Sequence, residues 1–598
     1  MPTRPTPKPT PTLPPRRPYA ALPILWAMLV LVLTLTPAQE MPITPVWELL
    51  SFDTAAHAGV FVVLAGLSWF SLSRQRRWPR LARHAGLVVV VGSTLFGGLI
   101  EVLQHTMGLG RNGDWTDLVS DAIGAAVAVG VLTAWARWHA HRASSAVAVF
   151  WVVGAAVALS AAPVPVNAQD MPRVRRTIEK LASPQMHGRG YVNDGDKKAA
   201  AYLRGRLKEL KLEPLADDYT QPFVLDVNTF PRVMRWKMAF GDKRRQLPAL
   251  KPGRDYIVTA TSGSGHITNV PLVGLDTAIF AGSLQNMVAQ QRLLEQPLKQ
   301  QALLLTARDQ TRLSTLPVNL RQHLNSAAAW VKLVPKLTAS LASEQSPRIE
   351  IELLSHVKPK QGAIIIRGTS MSEPEKLWLT ASVDAELRRN YQTQNLAAVV
   401  RGTTQPDSFL VVTAHYDHLG QMGKDVYFPG ANDNASGVAL LLELAAYYAR
   451  PENRPACSVA FLLFGAEEAG LVGSSYFVAH PLMPLQRIKF LVNLDLLGTG
   501  EQGATVVNGR LLEEPYRRLV ALNDAHHYLP QLAARGRAAN SDHFPFSEAG
   551  VPAFFLYTRG GSTAYHDVND RPEALSLAGF AGAFGLVRDF LNGMDAAK

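Results

Sequence analysis

One cysteine in 598 residues, Cys457, excludes an internal disulfide, and with no partnering motif around it a thiol nucleophile is excluded as well. A chain without disulfides is compatible with a bacterial periplasm, and a region of about 400 residues can bury enough core without cross-links. Charge is also scarce, at 18% of residues, and it is uneven. Up to about residue 165 the charges are confined to short segments between apolar runs. The stretch from about Pro214 to Gln394 contains no catalytic motif. The net charge of +12 does not require a nucleic-acid partner. Much of the excess lies in Arg4, Lys8, Arg16 and Arg17, in Arg74, Arg76, Arg77, Arg80 and Arg83, and in Arg137 and Arg142, all flanking apolar runs, where topology and anionic lipid account for it.

Hydropathy predicts five apolar spans, about Ala20–Ala38, Ala56–Leu72, Ala85–Leu103, Leu118–Ala136 and Ser145–Ala162, each near the roughly 20 residues a membrane helix needs. The basic loops alternate with loops carrying Glu40, Glu48 and Asp53 or Arg111, Asp114 and Asp117, which predicts a cytoplasmic N-terminus and a C-terminal region outside. The tail before Pro18 is rich in Pro and Thr and is expected to be disordered. The fifth run ends in Pro163-Val164-Pro165-Val166-Asn167-Ala168, the small-residue pattern of a signal-peptidase site, so it reads either as an anchor or as an internal signal cleaved after Ala168. The expected organisation is a tail (1–19), membrane helices (20–144), the fifth span (145–168), an α/β hydrolase domain (169–215 and 395–598) and an inserted region (216–394).

Chemistry concentrates after residue 395. The apolar run Phe409-Leu410-Val411-Val412-Thr413-Ala414 reads as a buried strand and ends at His415 in Ala-His-Tyr-Asp-His. A second run, Val459 to Phe464, ends in Gly-Ala-Glu467-Glu468, and a third, Ile488 to Leu494, ends at Asp495. A fourth, Val551 to Tyr557, precedes Tyr565-His566-Asp567. Asp433 lies in the turn-rich segment Pro429 to Gly437, ahead of a helix whose apolar stripe is Val438, Leu441, Leu442, Ala445 and Tyr448. Ligands of open α/β sheets sit beyond the carboxyl ends of strands. Two histidines and three carboxylates there suit two zinc ions, with Asp433 shared and one histidine and one terminal carboxylate on each. A paired-metal site activates water for hydrolysis. Glu467, free beside Glu468, is expected to be the general base, and Asp417 to fix the tautomer of His415.

These motifs resemble the family-twenty-eight zinc metallopeptidases, mostly aminopeptidases with co-catalytic zinc, strongly from Asn395 to Asp570 and more weakly back to about Ile178. Leu181-Ala182-Ser183-Pro184 and His187-Gly188-Arg189 resemble the family's start, and Ser541-Asp542-His543-Phe544 resembles a segment near its substrate pocket. The resemblance implies a mixed, mostly parallel sheet flanked by helices. It also implies His415, Asp433, Glu468, Asp495 and His566 on metal, Asp417 behind them and Glu467 as base. The inserted region resembles, faintly, a protease-associated domain. The first four spans resemble the VanZ-like family through Asp53, His57, Glu101, Gln104, Arg111, Asp114, Asp117, Asp121 and Gly124. Glu101 and Asp121 are either a polar site or helix–helix contacts.

The expected activity is a metal-dependent aminopeptidase acting on peptides outside a bacterial cytoplasmic membrane. Tyr565 would assist the oxyanion, and Phe544, Phe546 and Phe555 would form an apolar substrate pocket. A carboxypeptidase or dipeptidase, a glutaminyl cyclase, and a non-enzymatic membrane receptor for cell-wall or glycopeptide ligands remain open alternatives.

Overall fold

A computed structural model describes residues 21–35, 52–75, 78–107, 122, 125–133, 169–232, 234–281, 284–355, 376–424 and 426–596. The chain divides into two compact units, Met1–Ala168 and Gln169–Lys598.

In the first unit the helices are Ala21–Leu35, Phe52–Leu72, the short Pro79–Arg83 and Ala85–Met107, with a further helical stretch at residues 125–133. They meet in two small clusters, Val30, Phe61, Leu64 and Ile100 in one and Ala65, Val89, Ala125, Ala128 and Val129 in the other. The expectation of membrane helices is overturned here: among the described residues no helix is long and apolar enough to cross a membrane. Ala21–Leu35 has 15 residues, about 22 Å of helix against a hydrocarbon core of about 30 Å. The two longer helices are diluted by small and polar residues, Asp53, Thr54 and His57 in one and Gly92, Ser93, Thr94, Gly97, Gly98 and Glu101 in the other. The lipid bilayer as a partner of this unit is not supported by these helices. The expected fifth span, the signal-like site before Ala168 and Arg111, Asp114, Asp117, Asp121 and Gly124 lie outside the described residues.

The second unit contains two large sheets. The first has nine strands. Its centre is parallel, in the order Cys457–Phe464, Gln405–His415, Ile488–Leu494, Ala553–Thr558. Antiparallel strands border it on both sides, Glu386–Val400 with Thr220–Thr229 and Glu213–Pro214 on one and Ala504–Val507 on the other. The sheet is therefore mixed, with parallel pairing in its middle and again at one edge, where Leu532–Ala534 runs parallel to Ala504–Val507. Period-two alternation sends side chains to both faces. Leu410, Val412 and Ala414 join a core built with helices Met171–Leu181, Gly195–Glu209, Gly437–Tyr448 and Phe580–Ala596, while Phe409 and Val411 join a second core with Phe477 and Phe546. Burial on both faces is why the central strands read as continuous apolar runs.

The second sheet has eight strands and its own core. Gly265–Gly274, Ala302–Leu305, Ala329–Val334 and Ile349–Leu354 are parallel neighbours. Helices Leu284–Glu295 and Val318–Asn325 cover one face through Leu293, Leu320 and Leu324. The strands of this sheet run from Met234 to Val383, because Thr220–Thr229 and Glu386–Val400 pair within the first sheet. The inserted region is thus narrower than 216–394.

Candidate metal centre

Each predicted ligand sits where a structural device holds it. His415 is the last residue of its strand, and Asp495 follows the end of Ile488–Leu494. Asp433 lies in the turn ahead of helix Gly437–Tyr448. Its backbone N–H and that of Asn432 donate to the Asp570 carboxylate, at 3.0 and 2.9 Å. Gly430, three residues earlier, has φ 58°, and a Cβ there would lie 2.1 Å from the Asp433 carbonyl oxygen, so the turn requires glycine.

The structure brings all five together. His415 Nε2 lies 3.4 Å from Asp433 Oδ1 and 3.3 Å from Asp495 Oδ1. His566 Nε2 lies 3.4 Å from Asp433 Oδ2 and 3.0 Å from Glu468 Oε2. The two oxygens of Asp433 therefore face different histidines, each of which faces one further carboxylate. Glu467 joins the first set: ligand atoms of His415, Glu467 and Asp495 lie within 4.8 Å of one another. A cavity of about 240 Å³ opens over these residues, lined also by Leu496, Arg535, Asn540, Phe555, Tyr557 and Tyr565.

Electrostatics fit a cation. Burial pushes the Glu467 carboxyl well above the usual carboxylate range, against the pull of His415. Glu468 is also penalised by burial, but His418 and His566 outweigh this and hold it well below its ordinary value. Burial would lower His566, yet its bonds to Asp433 and Glu468 raise it to about 11. Asp495 Oδ1 is buried and faces His415 Nε2 at 3.3 Å, while burial raises the Asp495 carboxyl above its ordinary value. Four carboxylates converging with too few donors form a site whose charge a divalent cation would balance, and imidazole nitrogen with carboxylate oxygen suits zinc.

Some expectations change on inspection. His415 Nδ1 is nearest the backbone carbonyl of Asp417, at 3.3 Å, with the Asp417 carboxylate at 3.9 Å. That carboxylate accepts instead from the backbone N–H groups of Glu467 and Glu468, at 3.1 and 3.4 Å. Asp417 thus positions the Glu467–Glu468 corner, and burial raises its own pKa to about 7. Phe546 is fully buried against Phe464 and Phe477, and neither it nor Phe544 lines the cavity. Phe555 and Tyr565 do. His543 is buried beside Phe555, 5.3 Å between ring centroids, and burial lowers its pKa to about 4.

Three residues lie in motifs quoted from the sequence, but their contacts have no sequence signal. His418, in the same Ala-His-Tyr-Asp-His motif, places Nδ1 2.6 Å from Glu468 Oε1. Ser541 donates to Asp495 Oδ2 at 2.9 Å and accepts from Asn493 at 2.8 Å. Arg189 is fully buried, and all its donors are used on backbone carbonyls, those of Tyr416, Leu181, Pro429, Gly430 and Asp433. A buried guanidinium spent wholly on main-chain oxygens ties the His415 strand end to the Asp433 turn.

Imidazole and carboxylate groups gathered around one aspartate, at the carboxyl edge of a parallel strand group, are the candidate metal centre of this fold. Residues 395–591 match the model of Peptidase family M28. The chain is 31% identical over 212 residues to aminopeptidase YwaD of Bacillus subtilis, which spans 33% of this chain and 45% of that protein. It is 35% identical over 144 residues to an aminopeptidase of Pseudomonas aeruginosa, 24% of this chain and 25% of that protein. The chain thus spans less than half the length of these relatives. Among solved structures it is similar to BSAP, a zinc aminopeptidase from Bacillus subtilis, with a TM-score of 0.48 and 20% identity over 71% of this chain and 95% of that one.

Proposed function

We propose that the Gln169–Lys598 unit is a metal-dependent aminopeptidase that holds two zinc ions and hydrolyses the first peptide bond of a substrate with a free amino terminus. The observation that carries this is the placement of Asp433, with one oxygen toward His415 and Asp495 and the other toward His566 and Glu468. Zinc bound there would supply Lewis-acid polarisation of the scissile carbonyl and a lowered pKa for water.

The protein's own groups do the rest. Glu467 lines the cavity beside His415 and Asp495. Burial raises its pKa above the ordinary carboxylate range, which makes it a stronger base for taking a proton from water and returning it to the departing amine. Asp417 holds the main chain of Glu467 so that this carboxylate points into the cavity. Tyr565 stacks on the His566 ring, 3.9 Å between centroids, and its hydroxyl, held protonated by the carboxylates around it, can donate to a developing oxyanion. Phe555, Tyr557 and Leu496 give the cavity an apolar wall for the substrate side chain.

A second reading has one observation in its favour. Arg535 lines the same cavity, with Nη1 3.3 Å from the Tyr557 hydroxyl. A guanidinium there suits a carboxylate near the scissile bond, as in a dipeptide.

The test is release of anilide from aminoacyl-anilides by the zinc-loaded full chain, compared with N-acetylated analogues. Cleavage of free but not acetylated termini is expected. Equal cleavage of both, or silence on every free-amine substrate at full metal occupancy, would overturn the proposal. Faster turnover of dipeptides than of dipeptide amides would favour the second reading.

A further inference from the structure

The second sheet reaches into the metal centre. The strand Ala329–Val334 ends at the edge of that sheet, and the chain continues as Pro335-Lys336-Leu337-Thr338-Ala339-Ser340-Leu341. This segment lies against the His566 loop. The Ala339 carbonyl oxygen is 2.8 Å from His566 Nδ1, and the Ala339 N–H donates to the His566 carbonyl at 3.2 Å. Lys336 Nζ donates to the carbonyl of Thr563 at 2.8 Å.

The arm is held at its base. Leu337 and Ala339 are buried in the core of the second sheet, and Val568, two residues beyond His566, packs against that same core. The Asn228 N–H donates to the Ala342 carbonyl at 2.7 Å, fixing the far side of the arm to the strand Thr220–Thr229. A backbone carbonyl in this place accepts only from a protonated Nδ1. It therefore leaves Nε2, the atom facing Asp433 and Glu468, free for a cation.

The geometry points to a positioning role for the inserted region: the Ala339 carbonyl, delivered by the arm between two strands of the second sheet, fixes the tautomer and ring orientation of His566 and so completes one of the two cation positions. The other position, at His415 and Asp495, has no such contact. His415 Nδ1 faces the backbone carbonyl of Asp417, two residues beyond its own strand, at 3.3 Å. This inference rests on the reading of His566 as a metal ligand. It makes the inserted region a working part of the centre rather than a separate lid.

The experiment measures zinc stoichiometry and affinity on the full chain by competition with a chromophoric chelator, alongside the unfolding temperature. Ala339→Arg places a long charged side chain at a buried position and forces the arm off the His566 loop. The expected result is that one ion binds about 10- to 100-fold more weakly while the other keeps its wild-type affinity. Lys336→Ala removes an exposed side chain and one arm contact, and it is expected to weaken the same ion by a smaller factor. It serves as the deciding variant where Ala339→Arg lowers the unfolding temperature steeply. Wild-type affinity for both ions in a folded Ala339→Arg protein overturns the inference, as does equal weakening of both ions. Wild-type protein that binds no zinc fails on the underlying metal reading instead, so the two failures are distinguishable.

Discussion

Each of the two sheets in the second unit has a core of buried parallel strands, and each has polar residues just beyond the strands' carboxyl ends. In the first sheet those residues are His415, Glu467, Glu468 and Asp495. In the second they include Asp276 after Gly265–Gly274 and Thr306 with Asp309 after Ala302–Leu305. The difference lies in what the carboxylates do. Asp276 accepts the backbone N–H of Ala278, and Thr306 and Asp309 form a reciprocal capping box. Their lone pairs are spent on helix starts, where they stabilise the fold. The carboxylates of the first sheet face one another and the histidines, with His415 Nε2 3.3 Å from Asp495 Oδ1. The position beyond a strand end is therefore permissive, and leaving carboxylates without backbone donors is what turns such a position into a cation site.

Chelation is the harshest way to break this contrast. Stripping metal is expected to abolish peptidase activity while leaving the second sheet folded, as read by protection of amides in Ala302–Leu305 and Ala329–Val334. Retained hydrolysis in fully metal-free protein would remove the distinction between the sheets. Glu467→Gln comes next. It keeps shape and hydrogen-bonding capacity but cannot accept the proton, so kcat should fall at least about a hundredfold. Zinc content, measured by emission spectrometry, should stay near wild type.

A matched pair of substitutions sharpens the comparison. Asp495→Asn should weaken zinc binding and activity together. Asp309→Ala, at the corresponding place in the second sheet, removes one half of a capping box and should cost about 1 kcal/mol of stability with activity per folded molecule unchanged. Activity that followed Asp309 as closely as Asp495 would show that the sheets are not functionally distinct.

The candidate site after residue 395 is legible in the sequence, and the reason is visible in the fold. Central strands buried on both faces are mostly apolar, with Thr413 bonded to Asn493 between neighbouring strands, so the titratable residue at the end of each run stands out: His415, Glu467 and Asp495. The helix after Asp433 was legible for the same reason. Other contributors had no such contrast. Arg189 belongs to a motif that resembles the family's start, but nothing in the sequence points to its five carbonyl partners. The Ala339 carbonyl carries no side-chain signal whatever. Phe546 and Phe555 are equally aromatic, and only the tertiary fold sends one into the core and the other to the cavity wall. His418 was overlooked because its partner, Glu468, lies 50 residues away. In the N-terminal unit hydropathy misled, because run length counted apolar residues without weighing the glycine, serine and threonine among them.

The pH dependence of the metal-free protein tests the same crowding of charge. His566 titrates near 11 when folded against an ordinary 6.5, so the folded state keeps a proton that the unfolded chain releases. Its contribution is complete below about 6.5 and is lost as pH rises toward 11. Asp417 and Asp542, raised by burial to about 7 from 3.8, add loss in the same direction between those values. Glu468, held low, matters only at acid pH. Thermal unfolding in chelator should therefore show a midpoint that falls from pH 5 to pH 9. Zinc should raise the midpoint by more at the alkaline end, since the cation takes the place of protons. A metal-free midpoint that climbed over this interval would mean the cage carries no excess of bound protons.

The smallest effect is expected at Arg535, on the cavity wall away from the ligands. Arg535→Ala should leave zinc binding and kcat on aminoacyl-anilides nearly unchanged, because those substrates carry no carboxylate for the guanidinium to meet. On dipeptides with a free carboxyl terminus, KM should rise severalfold, the loss of one charge-assisted bond of about 1 kcal/mol at a partly exposed position. Equal KM for dipeptides before and after the substitution would leave the cavity's apolar wall, Leu496, Phe555 and Tyr557, as the source of substrate preference. The aminopeptidase reading would then hold without any selectivity for short peptides.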